Sequence, residues 1–123
     1  MSKPGVIQSL AALARPVLTL YLDTDRAKQI NRGLKPGYLI QLESRAKLIA
    51  QTVSLDEQEL FRKQLRRTED YLEKRPPRCR GVVVFAGRDI WEFVPLQMKV
   101  EEEIHWGAPA LPQLVWLLDE HER

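Results

Sequence analysis

Two aspartates at the end of an apolar run are the side chains best placed for chemistry in this sequence. Asp23 and Asp25 close the run VLTLYLDTD, with Thr24 between them. Because sites in open α/β sheets collect at the carboxyl ends of strands, the pair is a candidate for binding a hard cation or for acid–base catalysis. The more common alternative is a strand-exit turn, in which the carboxylates accept hydrogen bonds from nearby backbone amides. No constellation of His, Lys or further acids completes a site around the pair, which favours the turn.

Soft ligands and nucleophiles are scarce. Cys79 is the only cysteine, and His105 and His121 are the only histidines, which excludes an internal disulfide and leaves too few ligands for a structural zinc site. Arg78 and Arg80 flank the thiol, but no histidine base lies near it in the sequence, so a solvated approach to a strand is the simpler interpretation. The sequence therefore predicts no catalytic residue, no metal and no cofactor, in a reducing, cytoplasmic setting.

Charge is distributed unevenly along the chain. Basic residues outnumber acidic ones over residues 26–47 and again over 62–80, whereas acids dominate residues 101–123; the formal net charge of +2 averages these segments. Residues 24–37, which carry several of the bases and no apolar periodicity, are predicted to form a mobile basic loop. The asymmetry indicates a surface that faces a polyanion, and solvated helix faces are the equally common alternative.

The composition describes one ordinary globular domain. With 123 residues, 44% of them hydrophobic and 29% charged, the chain can bury a single core without disulfides or metals. It has no run of about eighteen apolar residues, which excludes a membrane span. Trp91, Trp106 and Trp116 fall in predicted strands or helices, where we expect them to fill the core rather than to stack on bases.

Apolar periodicity predicts four helices. A short helix covers residues 4–14, and apolar side chains at steps of three and four draw a stripe along residues 38–53. Residues 54–57, Ser-Leu-Asp-Glu, have the form of a capping box and would begin a second long helix that ends before Pro76. Two long helices joined by two or three residues must lie antiparallel, which makes a helical hairpin. A last helix starts at Pro112.

Four strands are predicted beside these helices. Val17–Asp23 is apolar on both faces, as a central buried strand requires. Residues 81–86 and 90–95 flank a short turn and are typical of a β-hairpin, and residues 99–106 alternate apolar with charged side chains, as in an outer strand with one wet face. The expected fold is α/β (α+β): one domain with a mixed or antiparallel four-stranded sheet, covered by the long helical hairpin and the two shorter helices.

Several phrases occur in the order found in a known family. They are the strand that ends in Asp23-Thr24-Asp25, the run GVVVF from Gly81, the proline-ended strand before Leu96, and Gly107-Ala108-Pro109 with Leu111 before the closing helix. Together they resemble the N-terminal domain of bacterial homologues of the archaeo-eukaryotic class-1 peptide-chain release factors. The resemblance covers about residues 17–118.

The resemblance implies a three-domain parent protein of which this chain is the first domain. In that family the second domain carries a Gly-Gly-Gln loop that promotes peptidyl-tRNA hydrolysis, and the third resembles a ribosomal RNA-binding domain. This sequence contains no Gly-Gly-Gln. The chain is therefore expected to be non-catalytic, a fragment cut at a domain boundary, with the downstream domains among its partners.

In the eukaryotic and archaeal members, the first domain reads stop codons through an Asn-Ile-Lys-Ser motif at the tip between two helices. The matching tip here, residues 52–56, lacks the Asn and the Lys. What the resemblance implies instead is docking on the ribosome or on structured RNA through the basic helical hairpin, in translation termination, rescue or quality control. The expected phosphate contacts are Arg45, Lys47, Arg62, Lys63, Arg66 and Arg67.

Two other classes of function stay open at the level of sequence. One is a protein-interaction domain, in which the acidic final segment and the elements that carry tryptophan pack on a following domain or on a second copy of the chain. The other is a small metal-dependent hydrolase built on Asp23 and Asp25.

Overall fold

The computed structural model describes residues 16–108 and 111–121. The helix expected over residues 4–14 lies outside these ranges. In chain order the elements are β1 (Val17–Asp23), α1 (Gly37–Ala50), α2 (Gln58–Lys74), β2 (Gly81–Gly87), β3 (Trp91–Leu96), β4 (Glu103–Gly107) and α3 (Pro112–His121). Single turns of 3-10 helix occur at Gln29–Asn31 and Leu55–Glu57. Within the described ranges, no helix is both long and apolar enough to cross a membrane.

The four strands form one open sheet in the order β3-β2-β1-β4, and every neighbouring pair is antiparallel. The fold is therefore α+β, and of the two predicted sheet types the antiparallel one is confirmed. Leu20 at the centre of β1 pairs with Val84 of β2 and Ile104 of β4. All residues of β1 and β2 are buried, because each of these strands has a neighbour on both sides and apolar side chains on both faces.

The predicted outer strand is the edge strand β4, but it begins at Glu103 rather than at residue 99. The backbone of Glu101 is held by the side chain of Gln113 from α3: Gln113 Oε1 accepts from the Glu101 amide at 2.8 Å, and Gln113 Nε2 donates to the Glu101 carbonyl at 3.1 Å. Because these backbone groups are satisfied by α3, they do not need partners on β1.

Helices cover both faces of the sheet. On one face Leu18, Leu20 and Leu22 pack with β2 side chains against α1 and α2, in a core that includes Leu42 and Phe61. On the other face Val17, Tyr21, Val83 and Phe85 pack against Leu114 and Leu117 of α3. The sheet thus forms the middle of three layers, and the carboxyl end of β1 lies where the helix layer, the sheet and the following loop meet.

The predicted capping box is wrong. The Ser54 side chain makes no capping hydrogen bond, residues Leu55–Glu57 form a 3-10 turn, and α2 begins only at Gln58. The Glu57 carboxylate instead accepts a hydrogen bond from the Trp106 indole nitrogen of β4 at 2.9 Å. A part-buried indole N–H needs an acceptor, and Trp106 finds it in the Glu57 carboxylate. In a capping box the same carboxylate would accept from the Ser54 amide instead.

Candidate functional site

The carboxylates of Asp23 and Asp25 are both held by neighbouring groups. Asp23, at the end of β1, is 6% exposed; its Oδ1 accepts from the Asp25 amide at 3.2 Å and its Oδ2 from Lys28 Nζ at 2.5 Å. Asp25 Oδ1 accepts from the Ala27 amide at 2.9 Å, and Oδ2 pairs with Arg80 Nε at 3.4 Å. The hydrogen bond from Ala27 and the interaction with Arg80 hold the pKa of the Asp25 carboxyl below its usual value. This is the geometry of the strand-exit turn.

A third acid joins this end of the sheet. Burial raises the pKa of Glu102, while a hydrogen bond from the Asp23 amide and the charge of Arg45 oppose that rise. Arg45 Nη1 in turn donates to the Glu102 carbonyl at 3.1 Å. The Lys28 ammonium occupies the position beside Asp23 that a cation would need, and the hydrogen bond between them raises the pKa of Lys28. Within residues 16–108 and 111–121, no group of three or more potential metal ligands is present.

A buried asparagine that sequence reasoning missed organises the segment after β1. Asn31 is 6% exposed, and its Nδ2 donates to the carbonyls of Asp23 and Asp25, both at 3.0 Å. Its Oδ1 accepts from the Tyr38 amide in the first turn of α1 at 3.1 Å. One side chain therefore joins the end of β1 to the start of α1. A weak local signal existed, since Asn side chains commonly bond backbone groups at turns and helix starts.

The six expected phosphate contacts do not form one surface. Arg45 on α1 is bound to the segment before β4, whereas the guanidinium of Arg67 on α2 lies 4.6 Å from the ring centroid of Trp91 on β3. Since β3 and β4 are the two edges of the sheet, they are separated by three strand spacings, about 14 Å. Arg45 and Arg67 thus lie toward opposite edges, and each already has a partner.

Three of the six, Arg62, Lys63 and Arg66, lie together on α2. All three are exposed, and they are neighbours because residues three and four apart share a helix face. None forms an ion pair with another residue of the described ranges, unlike Lys28, Lys35 and Arg80. Lys47 on α1 is likewise exposed and outside those ion pairs. Like charges four apart weaken a helix by about 0.2–0.5 kcal/mol per pair, a penalty that a bound anion would relieve.

The last turns of α2 carry three acids, Glu69, Asp70 and Glu73, beside their cations. Burial raises the pKa of Glu69, and the nearby carboxylates of Glu43 and Glu73 raise it further. Lys35 pairs with Glu43 at 2.7 Å, and this hydrogen bond raises the pKa of Lys35. Lys35 and Glu73 also line a cavity of about 450 Å³ between the loop after β1 and the adjoining ends of α1 and α2. Arg26 also lines the cavity, so its charged lining is two cations and one acid, and Lys35 is already paired with Glu43.

The three tryptophans have different surroundings. Trp106 meets Phe61 edge to face at 5.3 Å between ring centroids, as expected for core packing. Trp91 is only half-buried and packs on Tyr71, with 5.2 Å between centroids. Trp116 on α3 is 58% exposed, so the expectation that it fills the core is wrong. It follows the buried Leu114 by two positions, which places it on the outer side of the helix.

Cys79 and His105 each interact with a residue two positions away in the sequence. The Cys79 side chain is 9% exposed, and its Sγ donates to the Gly81 carbonyl at 3.2 Å. His105, on the exposed side of β4, pairs with Glu103 at 2.8 Å. The side chain of His121 lies outside the part of the chain whose side chains are described.

A scan against protein-family models finds no match for this chain, and a search of curated proteins finds none either.

Proposed function

We propose that this chain is a non-catalytic docking domain for structured RNA, which acts at the ribosome as the first domain of a release-factor-like protein. The observation that carries the proposal is the cluster of Arg62, Lys63 and Arg66, exposed on neighbouring turns of α2 and unpaired within the described ranges. Cations in such an arrangement bind phosphates, which supply most of the affinity of non-specific nucleic-acid binding. In this proposal α1 and α2 form the basic helical hairpin that presents them.

The other expected contacts rank below this cluster. Lys47 is exposed and adds to the positive charge of the helix pair. Arg45 donates a hydrogen bond to the Glu102 carbonyl, and Arg67 lies over the Trp91 ring. Because both guanidinium groups already interact within the protein, they are less available to bind phosphates. The release-factor resemblance is what assigns the cytoplasmic ribosome as the setting and termination, rescue or quality control as the process.

The state of the acidic residues supports a non-catalytic role. A hydrolase built on Asp23 and Asp25 needs at least one carboxylate oxygen free for a metal or for a proton transfer. Here Lys28 and Arg80 each approach one of these carboxylates, and backbone amides approach both.

The proposal is tested by binding the 123-residue chain to purified bacterial ribosomes over a series of salt concentrations. The variant Arg62→Glu, Lys63→Glu, Arg66→Glu should bind weakly, with a log–log salt slope reduced by about 0.7–0.9 for each phosphate that it no longer neutralises. A matched control reverses three exposed cations away from α2, namely Arg78, Arg88 and Lys99, and so changes the net charge equally. Unchanged binding of the α2 variant, or an equally weakened control, would contradict the proposal.

One observation favours a second candidate, a protein-interaction surface. The adjacent apolar residues Val115 and Trp116 on α3 are 45% and 58% exposed, and an apolar patch on the surface can mark a contact with another protein. A following domain or a second copy of the chain would cover them. Sedimentation velocity distinguishes this candidate: it predicts a salt-insensitive dimer that Trp116→Ser dissociates and no affinity for RNA, whereas RNA docking predicts salt-sensitive binding that Trp116→Ser leaves unchanged.

A further inference from the structure

A row of side chains at steps of four follows α2 on the side of β3. Its members are Lys63, Arg67 and Tyr71 within the helix and Arg75 directly after it. Side chains four apart lie one above the other along a helix, so the row forms a continuous stripe. The stripe carries three cations and one aromatic ring, and it is adjacent to the Arg62, Lys63 and Arg66 cluster, with which it shares Lys63.

Half-buried aromatic rings line the stripe at the open edge of the sheet. The ring centroid of Tyr71 lies 5.2 Å from that of Trp91 and 5.0 Å from that of Phe93. Trp91 and Phe93 are on the same face of β3, an edge strand. All three rings keep part of their surface exposed, unlike the fully enclosed rings of Phe61 and Phe85 in the core.

Each arginine of the stripe lies over one of these rings. The guanidinium of Arg67 is 4.6 Å from the centroid of Trp91, and that of Arg75 is 5.2 Å from the centroid of Tyr71. Arg67 Nη1 also donates to Gln64 Oε1 at 3.4 Å, which restricts its orientation. Both arginines are exposed to solvent. Arg67 and Arg75 are two helical turns apart, about 12 Å along the axis.

We infer that this stripe is a stacking platform for the bases of single-stranded RNA. An unpaired base can stack on the outer plane of a guanidinium that already rests on an aromatic ring, and Arg planes and aromatic rings are the common supports for splayed-out bases. In a duplex the base faces are covered by their neighbours, so they are closed to such contacts. The inference rests on the proposed RNA docking and deepens it: the α2 cluster binds phosphates, and Arg67 and Arg75 select strands with unpaired bases.

The test uses fluorescence anisotropy with two labelled probes, an unstructured oligouridine and a blunt RNA duplex of equal phosphate number. The variant Arg67→Lys, Arg75→Lys keeps both charges and removes both planar groups. Its affinity for the single strand should fall about tenfold or more, as is typical when base stacking is removed, and it should bind the duplex as before. The matched control Arg78→Lys, Arg88→Lys makes the same chemical change at two exposed arginines that contact no aromatic ring within the described ranges, and it should bind both probes normally. Circular dichroism verifies that all variants are folded.

The outcomes separate the two proposals. If both Lys pairs bind the single strand like the original protein, the stacking platform is refuted while phosphate docking stands. An equal fall in affinity for strand and duplex in the Arg67, Arg75 variant also refutes it, because that result points to charge placement rather than to base stacking. If the original chain binds neither probe nor ribosomes, both proposals fail together.

Discussion

Replacement of Asn31 by Ala should be among the most destabilising polar changes in this protein. The Asn31 side chain makes three hydrogen bonds, to the carbonyls of Asp23 and Asp25 and to the amide of Tyr38. The bonds to Asp23 and Tyr38 are buried, so Ala leaves a carbonyl and an amide without partners in a place that water does not reach. An unsatisfied buried group costs about 1–3 kcal/mol.

The expected magnitude follows from these three bonds. Two buried groups at about 1–1.5 kcal/mol each, and a part-buried one at about 0.5 kcal/mol, lower the free energy of unfolding by about 3 kcal/mol. With a urea m-value of about 1.5 kcal/mol per molar, the midpoint of unfolding falls by about 2 M. A domain with about 5–15 kcal/mol of stability remains folded after such a decrease, so the shift can be measured by tryptophan fluorescence.

Two further variants test whether the hydrogen bonds of Asn31 cause the loss of stability. Gln29→Ala changes an exposed side chain in the same 3-10 turn and should shift the free energy of unfolding by less than about 0.5 kcal/mol. Asn31→Asp keeps an acceptor for the Tyr38 amide but sets a carboxylate against two carbonyl oxygens, and it should destabilise at least as much as Asn31→Ala. If Asn31→Ala lowers the free energy of unfolding no more than Gln29→Ala does, or if Asn31→Asp is as stable as the original protein, the three hydrogen bonds of Asn31 do not contribute the stability assigned to them.

Three other perturbations probe the core and the start of α2. Burial raises the pKa of Tyr21 to about 12, whereas its pKa in the unfolded chain is about 10, so the native state keeps the phenolic proton to a higher pH. This difference contributes about 2–3 kcal/mol of stability, which is fully present below pH 10 and is lost as the pH rises toward 12. Urea unfolding at a series of alkaline pH values should show this loss, and Tyr21→Phe should not show it. Ser54→Ala should cost under about 0.5 kcal/mol and Glu57→Ala about 1–2 kcal/mol in urea unfolding, the reverse of what a capping box requires. A Cβ at Gly81 would lie 2.9 Å from Val100 Cγ1, so Gly81→Ala should lower the free energy of unfolding by about 1–3 kcal/mol. In a double-mutant cycle, Val100→Ala should recover part of that loss because it removes the clashing methyl groups, whereas additive effects would contradict the steric explanation.

The central strands were predictable because their signal is local and strong. Val17–Asp23 was predicted with its observed bounds, and the strand from Gly81 within one residue, since runs that are apolar on both faces fit only a strand with neighbours on each side. The hairpin of β2 and β3 followed from the short polar turn between two such runs. Strand order and the antiparallel pairing of β1 with β4 depend on contacts between distant segments, which no local pattern contains.

The errors have the same origin. Glu57 had the spacing of a capping residue, but its carboxylate is bound by Trp106, 49 residues away. Gln113 of α3 binds the backbone of Glu101, so the strand begins only at Glu103. The alternating pattern of that segment contains no information about this contact. The sequence identifies the six cations as candidates for phosphate contact. Which of them already have partners depends on long-range contacts, such as that of Arg45 with Glu102.

The placement of acids on α2 determines the conditions in which the proposed docking is effective. Glu69 lies only three residues after Arg66, the nearest cation of the cluster, whereas Glu73 follows Arg66 by seven residues, which is about 10 Å along the helix. At about 0.15 M salt the Debye length is near 8 Å, so the field of Glu73 is largely screened at the basic cluster, while at about 0.01 M, where the Debye length is near 30 Å, it opposes phosphate binding. Because contact phosphates lie within a few ångströms of the cations, they keep their attraction at both ionic strengths. The gain in affinity on lowering the salt should therefore fall short of the gain that the counterion-release slope predicts, and Glu73→Gln should restore the full gain in the ribosome-binding assay.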